Sequence, residues 1–181
     1  SYSDLEEKLS DDIACFINQS PNVFGIVEDT SAVNNIISKK NISLVNVILE
    51  ALSLGVIAPP GEKGASVVCG EAQSFGNEMS FGGPGLGFIA AKKEFIRKLP
   101  GRIAGKTIDL DGKTSYVLTL RAREQDIRRE KATSNICTNN NLCALKATIY
   151  LSTLGEEGLR EVAEQNIQKS HYAFSELLKI D

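Results

Sequence analysis

The chain has 181 residues, of which 42% are hydrophobic and 24% charged, with a formal net charge of −3. This composition is typical of a globular protein of one medium domain, or of one domain and the start of another, and its acidic balance argues against nucleic acid as the main partner. No apolar run approaches the roughly 20 residues that a membrane-spanning helix needs, and the first residues show no signal-peptide pattern, so neither a membrane nor a secretory route is expected.

The first half of the chain alternates between helical and strand-like segments. Polar residues 4–10 predict a short helix, and the 3–4 spacing of apolar residues within 31–40 predicts another. Short apolar runs predict strands at residues 13–17, 44–49, 65–69 and 85–91. These runs are nearly continuous, which is typical of strands buried on both faces by helices. The strand–helix–strand order therefore predicts an α/β fold with a mainly parallel sheet and right-handed crossovers.

A glycine-rich stretch, residues 76–87, lies between the last two predicted strands. It predicts a constrained turn, or a place where the backbone closely approaches another group. The stretch contains neither glycine pattern of nucleotide-binding loops, so we expect residues 81–85 to allow tight packing at a subunit boundary rather than to bind phosphate. A short helix is expected next, at residues 92–99.

A hairpin and a charged segment follow. Turn-rich residues 101–115, with Asp111-Gly112 as the strongest turn signal, precede the strand-like residues 116–120. Eight of the eleven residues from 121 to 131 are charged. Such a run predicts a solvated helix with ion pairs between successive turns.

The last part of the chain is predicted to be helical. Residues 133–141 are uncharged and rich in hydroxyl and amide groups, and they end in a cluster suited to cap a helix over residues 142–154. Gly155 is expected to end that helix, and a further helix is expected at residues 158–178.

The cysteines do not form a metal-binding pattern. No two of the four, Cys15, Cys69, Cys137 and Cys143, have C-x-x-C spacing, and the single histidine, His171, lies far from them in sequence. We therefore expect no metal site. Unpatterned cysteines in a chain of this size are typical of reduced thiols, which predicts a cytoplasmic location.

Three stretches are compositionally unusual. They read LSLGVIAPPG at 52–61, GEAQSFG running into MSFGGPGLGF within 70–88, and LTLRAREQDIRREKATSNICT at 118–138. These stretches resemble the decarboxylating glycine dehydrogenases of the glycine cleavage system, and within that family the branch of subunit 1. The resemblance extends from about residue 18 to about residue 165.

The resemblance implies a fold and a role. The family belongs to the fold-type-I pyridoxal 5'-phosphate (PLP) enzymes, similar to aspartate aminotransferase. Its members decarboxylate glycine and pass the aminomethyl group to a lipoyl carrier protein. Where the enzyme is split into two homologous subunits, subunit 2 carries the Schiff-base lysine and holds PLP, and subunit 1 completes the heterotetramer.

The resemblance also implies that this chain is a C-terminal fragment, because members of the subunit 1 branch are more than twice as long. Residues 1–120 are then expected to form part of the PLP-transferase large domain. Residues 121–181 are expected to form a linking helix and the start of the small domain.

The residues at two positions indicate whether this chain could catalyse the reaction without a partner. The resemblance places Gln73 where the Schiff-base lysine stands, and a glutamine cannot form an imine. Glu50 occupies the place of the aspartate that pairs with the pyridinium nitrogen, and we expect it to face solvent at the end of a strand. No catalytic residue is therefore expected on this chain, and no PLP is expected to bind to it alone.

A cofactor contact is expected instead in trans. A loop of one subunit commonly reaches the phosphate of its partner's PLP in this fold, and hydroxyl and amide groups before a helix are suited to bind an anion. The residues of this kind are Thr133, Ser134, Asn135 and Thr138. The alternative is that they only cap the helix and pack at an interface.

The four arginines of the charged segment, Arg121, Arg123, Arg128 and Arg129, are suited to bind a carboxylate in bidentate fashion. Glycine carries one carboxylate, so we expect most of them to form structural ion pairs. Two other interpretations of the chain stay open: a PLP-binding enzyme of the same superfamily in its own right, and a non-catalytic interaction module without PLP contact.

Overall fold

A computed structural model of the chain describes residues 1–134, 136 and 139–180. The chain forms two compact units, one of residues 1–90 with 140–181 and the other of residues 91–139. The domain boundary expected at residue 120 concerns the division of the complete family fold and stays a prediction. The elements, in chain order, are α1 (Tyr2–Lys8), β1 (Cys15–Gln19), α2 (Thr30–Ile37), β2 (Ser43–Ile48), β3 (Val67–Glu71), β4 (Gly87–Ala91), β5 (Ile103–Ile108), β6 (Thr114–Thr119), α3 (Gln125–Arg128) and α4 (Asn141–Leu177).

The first unit is built on a sheet with the order β1-β2-β3-β4. β1 pairs with β2 and β2 with β3, both in parallel, as the strand–helix–strand order of the sequence predicts. Along β2, Leu44, Asn46 and Ile48 are buried and the residues between them are half-buried. The sequence predicts strands that are buried on both faces. For β1 this prediction is wrong, because Ile17 is 64% exposed.

Two clusters of buried side chains hold the first unit together. One lies between α2 and the sheet and contains Val33, Ile37, Ile42, Leu44 and Ala65. The other contains Ala51, Ala72, Phe75 and Ala147. Ala51 follows β2, Ala72 follows β3, and Ala147 belongs to α4. The second cluster therefore packs α4 against the segments that leave the carboxyl ends of two central strands.

Helix α4 is interrupted at Gly155, as the sequence predicts. Gly155 has a φ of 64° and a ψ of −168°, which is not a helical conformation. A φ in this range is readily available to glycine because it has no Cβ. The two helical segments on either side of Gly155 therefore take different directions. No helix in the described part of the chain contains an apolar stretch sufficient to cross a membrane.

The second unit contains the predicted hairpin of β5 and β6, which pair antiparallel from Ile103 opposite Thr119 to Ile108 opposite Thr114. The turn is closed by the side chain of Asp109, whose Oδ1 accepts hydrogen bonds from the backbone N–H groups of Asp111 and Lys113. An aspartate that bonds to its own following backbone is a common way to stabilise a tight turn.

Two helix predictions fail in the second unit. The expected helix at 92–99 is reduced to a single 3₁₀ turn, Lys93–Phe95. The charged run is not one helix but the short α3 between two 3₁₀ turns. Leu120 and Arg129 have φ values of 55° and 51°, in the left-handed region. A right-handed helix cannot continue through such residues, so no helix enters the run through Leu120, and Arg129 interrupts the run itself.

Candidate functional site

A cavity of about 330 Å³ lies just after the carboxyl end of β3. This edge is where parallel α/β sheets usually bind ligands. The lining residues are Glu71, Gln73, Glu78, Met79, Ser80 and the glycine-rich turn 82–85. The position at which the resemblance expects a lysine is therefore part of a real cavity, with a glutamine in it.

The Gln73 side chain is half-buried and bonded within its own turn. Its Nε2 donates a hydrogen bond of 3.2 Å to the backbone oxygen of Asn77, and its backbone N–H donates to Glu71. The amide thus stabilises the start of the glycine-rich stretch. That Gln73 stands at the place of a catalytic lysine stays a prediction.

Glu71, the last residue of β3, holds the two ends of the glycine-rich stretch together. Its Oε1 accepts hydrogen bonds from the backbone N–H of Gln73, at 2.9 Å, and from that of Leu86, at 2.7 Å. A Cβ added at Gly85 would lie 2.9 Å from the Glu71 Oε2. The turn therefore needs both the carboxylate and the glycine. Glu71 was missed in the sequence analysis, because its bond to Leu86 joins residues 15 positions apart.

The same turn is bonded to the beginning of α4 at two points. The Nδ2 of Asn140 donates a hydrogen bond of 2.7 Å to the Gly85 carbonyl, and the Nδ2 of Asn77 donates one of 3.3 Å to the Cys143 carbonyl. Asn140 stands at the N-cap position of α4, but its side chain makes no capping hydrogen bond. The expectation that this residue helps to cap the helix is therefore wrong for Asn140, because its side-chain amide bonds to the turn instead.

The charge of the cavity does not suit the cofactor that the resemblance implies. The lining residues include two carboxylates, from Glu71 and Glu78, and no lysine or arginine. The phosphate of PLP carries negative charge, which two carboxylates repel, and no cationic side chain of the lining offsets that repulsion. These residues therefore do not fit PLP.

Glu50 lies apart from this cavity. It is exposed, and its Oε1 accepts a hydrogen bond of 3.0 Å from the Leu52 N–H, so it caps the 3₁₀ turn Ala51–Gly55. It lines a separate groove, of about 930 Å³, whose other wall includes His171 and Phe174. Glu50 and Gln73 thus do not line a common cavity, and Glu50 serves as an exposed cap at the end of a strand.

The residues expected to reach a partner's cofactor belong to the second unit. Asn135 and Thr138 lie outside the described residues. Thr133 is exposed, and its backbone N–H donates to the Arg123 carbonyl at 3.1 Å. The Ser134 Oγ is buried and has no hydrogen-bond partner in the described part of the chain. A buried polar atom without a partner requires a physical explanation, because most such atoms are paired.

Arg123 is a structural residue. It is buried, donates hydrogen bonds to the carbonyls of Leu99 and Gly101, and pairs with Glu124 at 3.0 Å. A guanidinium with these partners is not available to a substrate carboxylate. Arg123 instead fixes the segment that precedes β5 to the beginning of the charged run.

The other three arginines of the run are exposed and fall into two groups. Arg121 pairs with Asp126, which confirms for it the expectation of a structural ion pair. Neither Arg128 nor Arg129 forms an ion pair within residues 1–134, 136 and 139–180. Two guanidinium groups close in sequence to Thr133 and Ser134 are therefore available to an anion.

Comparison with known proteins agrees with the fold. The family model described as "Glycine cleavage system P-protein" matches residues 2–180. The chain is 54% identical over 173 residues to "Probable glycine dehydrogenase (decarboxylating) subunit 1" of Moorella thermoacetica, and 50% identical over 176 residues to the protein of the same description from Desulfitobacterium hafniense. These matches cover 96% and 97% of this chain and 39% of each relative.

A solved structure gives the same result in three dimensions. It is described as glycine decarboxylase (P-protein) of the glycine cleavage system in inhibitor-bound form, and it matches with a TM-score of 0.91 and 43% sequence identity. The match covers 96% of this chain and 39% of that one. The expected partial PLP-transferase fold is thus confirmed, and the chain spans about two fifths of the length of the relatives it matches.

Proposed function

Since the chain belongs to the glycine cleavage system P-protein family, we propose that it is part of subunit 1 of the decarboxylating glycine dehydrogenase and has no catalytic activity of its own. It supports the PLP-dependent decarboxylation of glycine, and the transfer of the aminomethyl group to a lipoyl carrier protein, through the partner that holds PLP. The observation that carries this proposal is that Gln73, at the position where the resemblance expects the Schiff-base lysine, lines a cavity together with two glutamates.

The chemistry of that cavity supports a division of labour between two subunits. An imine requires a primary amine, which Gln73 lacks, and a phosphate requires donors or cations, whereas Glu71 and Glu78 bring negative charge. The cofactor therefore belongs to glycine dehydrogenase subunit 2. The proposed setting is the cytoplasm, with a large domain up to residue 120 and a linking helix and small domain beyond it.

The proposed contribution of this chain to the partner's site comes from Thr133, Ser134, Asn135 and Thr138, which approach the phosphate of the partner's PLP. Two observations support it. The buried Ser134 Oγ has no described acceptor or donor partner, and the exposed Arg128 lies a few residues before it. A hydroxyl and a guanidinium are both groups that bind phosphate oxygens.

The test of the proposed function is reconstitution. This chain, subunit 2 and the lipoyl carrier protein are mixed, and the exchange of the glycine carboxyl carbon with labelled bicarbonate is measured. We expect exchange from the mixture and none from this chain alone, because only subunit 2 supplies the lysine. Full-length subunit 1 provides the positive control. Exchange by this chain alone would contradict the proposal, and so would an inactive mixture beside an active control.

The phosphate contact has its own expected result. Alanine substitution of Ser134 is expected to weaken the affinity of the assembled complex for PLP by about fivefold, the effect of one lost hydrogen bond. The measurement is PLP release on dilution, followed by absorbance. Ser152→Ala, at an exposed site in α4, is the matched control. A change in subunit assembly without a change in PLP affinity would favour the interaction-module interpretation.

A further inference from the structure

We propose that the second unit carries a docking surface for an acidic protein, formed by exposed cations that converge around the buried Arg123. These cations, which we call the basic patch, are Arg97, Lys98, Arg102 and Lys131. The partner that fits them is a folded protein with a carboxylate-rich face. This inference goes beyond the proposed function and does not rest on it.

The charge of the chain is divided unevenly between its two units. Residues 91–139 contain 12 of the 20 basic residues and 6 of the 23 acidic ones, which gives the second unit a net charge of +6. The rest of the chain has a net charge of −9. The overall charge of −3 therefore conceals one strongly basic unit, and a surface of one sign attracts a partner of the opposite sign.

Arg123 brings three segments of the second unit together. Its guanidinium donates hydrogen bonds to the carbonyls of Leu99 and Gly101, and its own carbonyl accepts one from the Thr133 N–H at 3.1 Å. Every member of the basic patch lies within two residues of one of these three bonded positions. Two residues of extended chain span at most about 7 Å, so the cations of three segments meet in one neighbourhood.

The acidic side chains next to this neighbourhood are already engaged. Glu124 is buried and pairs with Arg123, and Asp126 pairs with Arg121. No member of the basic patch forms an ion pair in the part of the chain that the structure describes. The patch therefore holds like charges close together without neutralising them, and an anionic partner relieves that repulsion.

An acidic protein fits this surface better than a nucleic acid does. Ile96, which directly precedes Arg97, is 42% exposed, and arginine beside an exposed apolar side chain is typical of interfaces between proteins. A nucleic acid extends beyond a single patch, and the charge of −9 on the rest of the chain repels its phosphates. A compact acidic face can contact the patch alone.

The decisive variant carries Arg97→Glu and Arg102→Glu, which reverse two charges of the basic patch. The matched control carries Lys146→Glu and Lys169→Glu, which change the net charge of the chain by the same amount at exposed positions of α4. Circular dichroism and urea unfolding check that both double variants fold like the parent. If the decisive variant does not fold, Arg97→Gln with Arg102→Gln removes the same two charges without adding new ones.

The probe is a fluorescently labelled poly-L-glutamate peptide, whose binding to the full chain is followed by anisotropy in low salt. We expect the decisive variant to bind about tenfold more weakly than the parent, because two attractive contacts become repulsive. The control is expected to bind within about twofold of the parent, since charges distant from the peptide are screened.

Equal losses of affinity in both double variants would show that only net charge matters, and would overturn the inference. Absence of peptide binding by the parent would overturn it as well. A DNA duplex that binds the parent more tightly than the peptide does would identify the wrong class of partner and contradict the inference. The exchange of the glycine carboxyl carbon is a separate measurement, so each of these failures leaves the proposed function intact.

Discussion

Replacing Gly70 by alanine is expected to destabilise the chain by about 3 kcal/mol or more, among the largest effects of any single substitution in the sheet. An added Cβ would lie 1.9 Å from the carbonyl oxygen of Ile48 and 2.9 Å from the ring of Phe88. Gly70 is opposite Ile48 in the parallel pairing of β2 and β3. Because the closest atom belongs to the backbone of a paired strand, the clash cannot be relieved by a change of rotamer.

The measurement is urea unfolding, followed by far-ultraviolet circular dichroism. Gly61→Ala is the matched control, because a Cβ at Gly61 would meet no atom within 4 Å. We expect a midpoint close to that of the parent for Gly61→Ala and a much lower midpoint, or no cooperative transition, for Gly70→Ala. Equal midpoints for the two variants would show that the strand spacing at Gly70 is not as close as the structure has it.

A substitution at Gly70 is also expected to affect the cavity, because Glu71, which lines it, is the next residue. A displacement of the end of β3 moves the carboxylate that receives the N–H groups of Gln73 and Leu86. The close approach of two central strands and the closure of the glycine-rich turn thus depend on adjacent residues. Packing of the sheet and geometry of the candidate site are therefore linked.

The order of helices and strands in the first half of the chain was predictable from the sequence. Short apolar runs become strands wherever they are flanked by breakers, and the 3–4 spacing of Val33 and Ile37 turns one face of α2 to the core. The charged run was not predictable in the same way. Its conformation depends on the left-handed backbone of Leu120 and Arg129 and on the burial of Arg123, and none of these leaves a signal in the periodicity.

The candidate site was predictable only in part. Gln73 was singled out through the resemblance, which expects a lysine at this position, and it is one of the residues that line the cavity. Glu71, Asn77 and Asn140 were missed, because each acts through a hydrogen bond to a residue 15, 66 or 55 positions away along the chain. Local sequence patterns carry no information on such distant pairings. An asparagine before a helix is ordinarily a cap, and only the folded structure shows whether another acceptor competes for its side chain.

A second large effect is expected from the pair of asparagines inside the sheet. Asn18 on β1 and Asn46 on β2 are opposite each other, and the Asn18 Nδ2 donates a hydrogen bond of 3.1 Å to the Asn46 Oδ1. The Asn46 side chain is fully buried, and its Nδ2 has no partner among the described residues. The pair therefore contains one hydrogen bond and one donor group, the Asn46 Nδ2, that has no acceptor among the described residues. Both are buried away from water.

Asn46→Val is expected to cost about 2 kcal/mol, because it leaves the buried Asn18 amide without its acceptor. Replacing both residues by valine removes every buried polar atom of the pair and introduces a side chain that suits a strand. We therefore expect the double variant to be more stable than Asn46→Val alone, and the coupling from the cycle of single and double variants, measured by urea unfolding, to be about 1 kcal/mol. Strictly additive effects would mean that the two amides do not interact. A double variant less stable than either single one would instead indicate that the pair contributes to the sheet beyond the hydrogen bond seen between them.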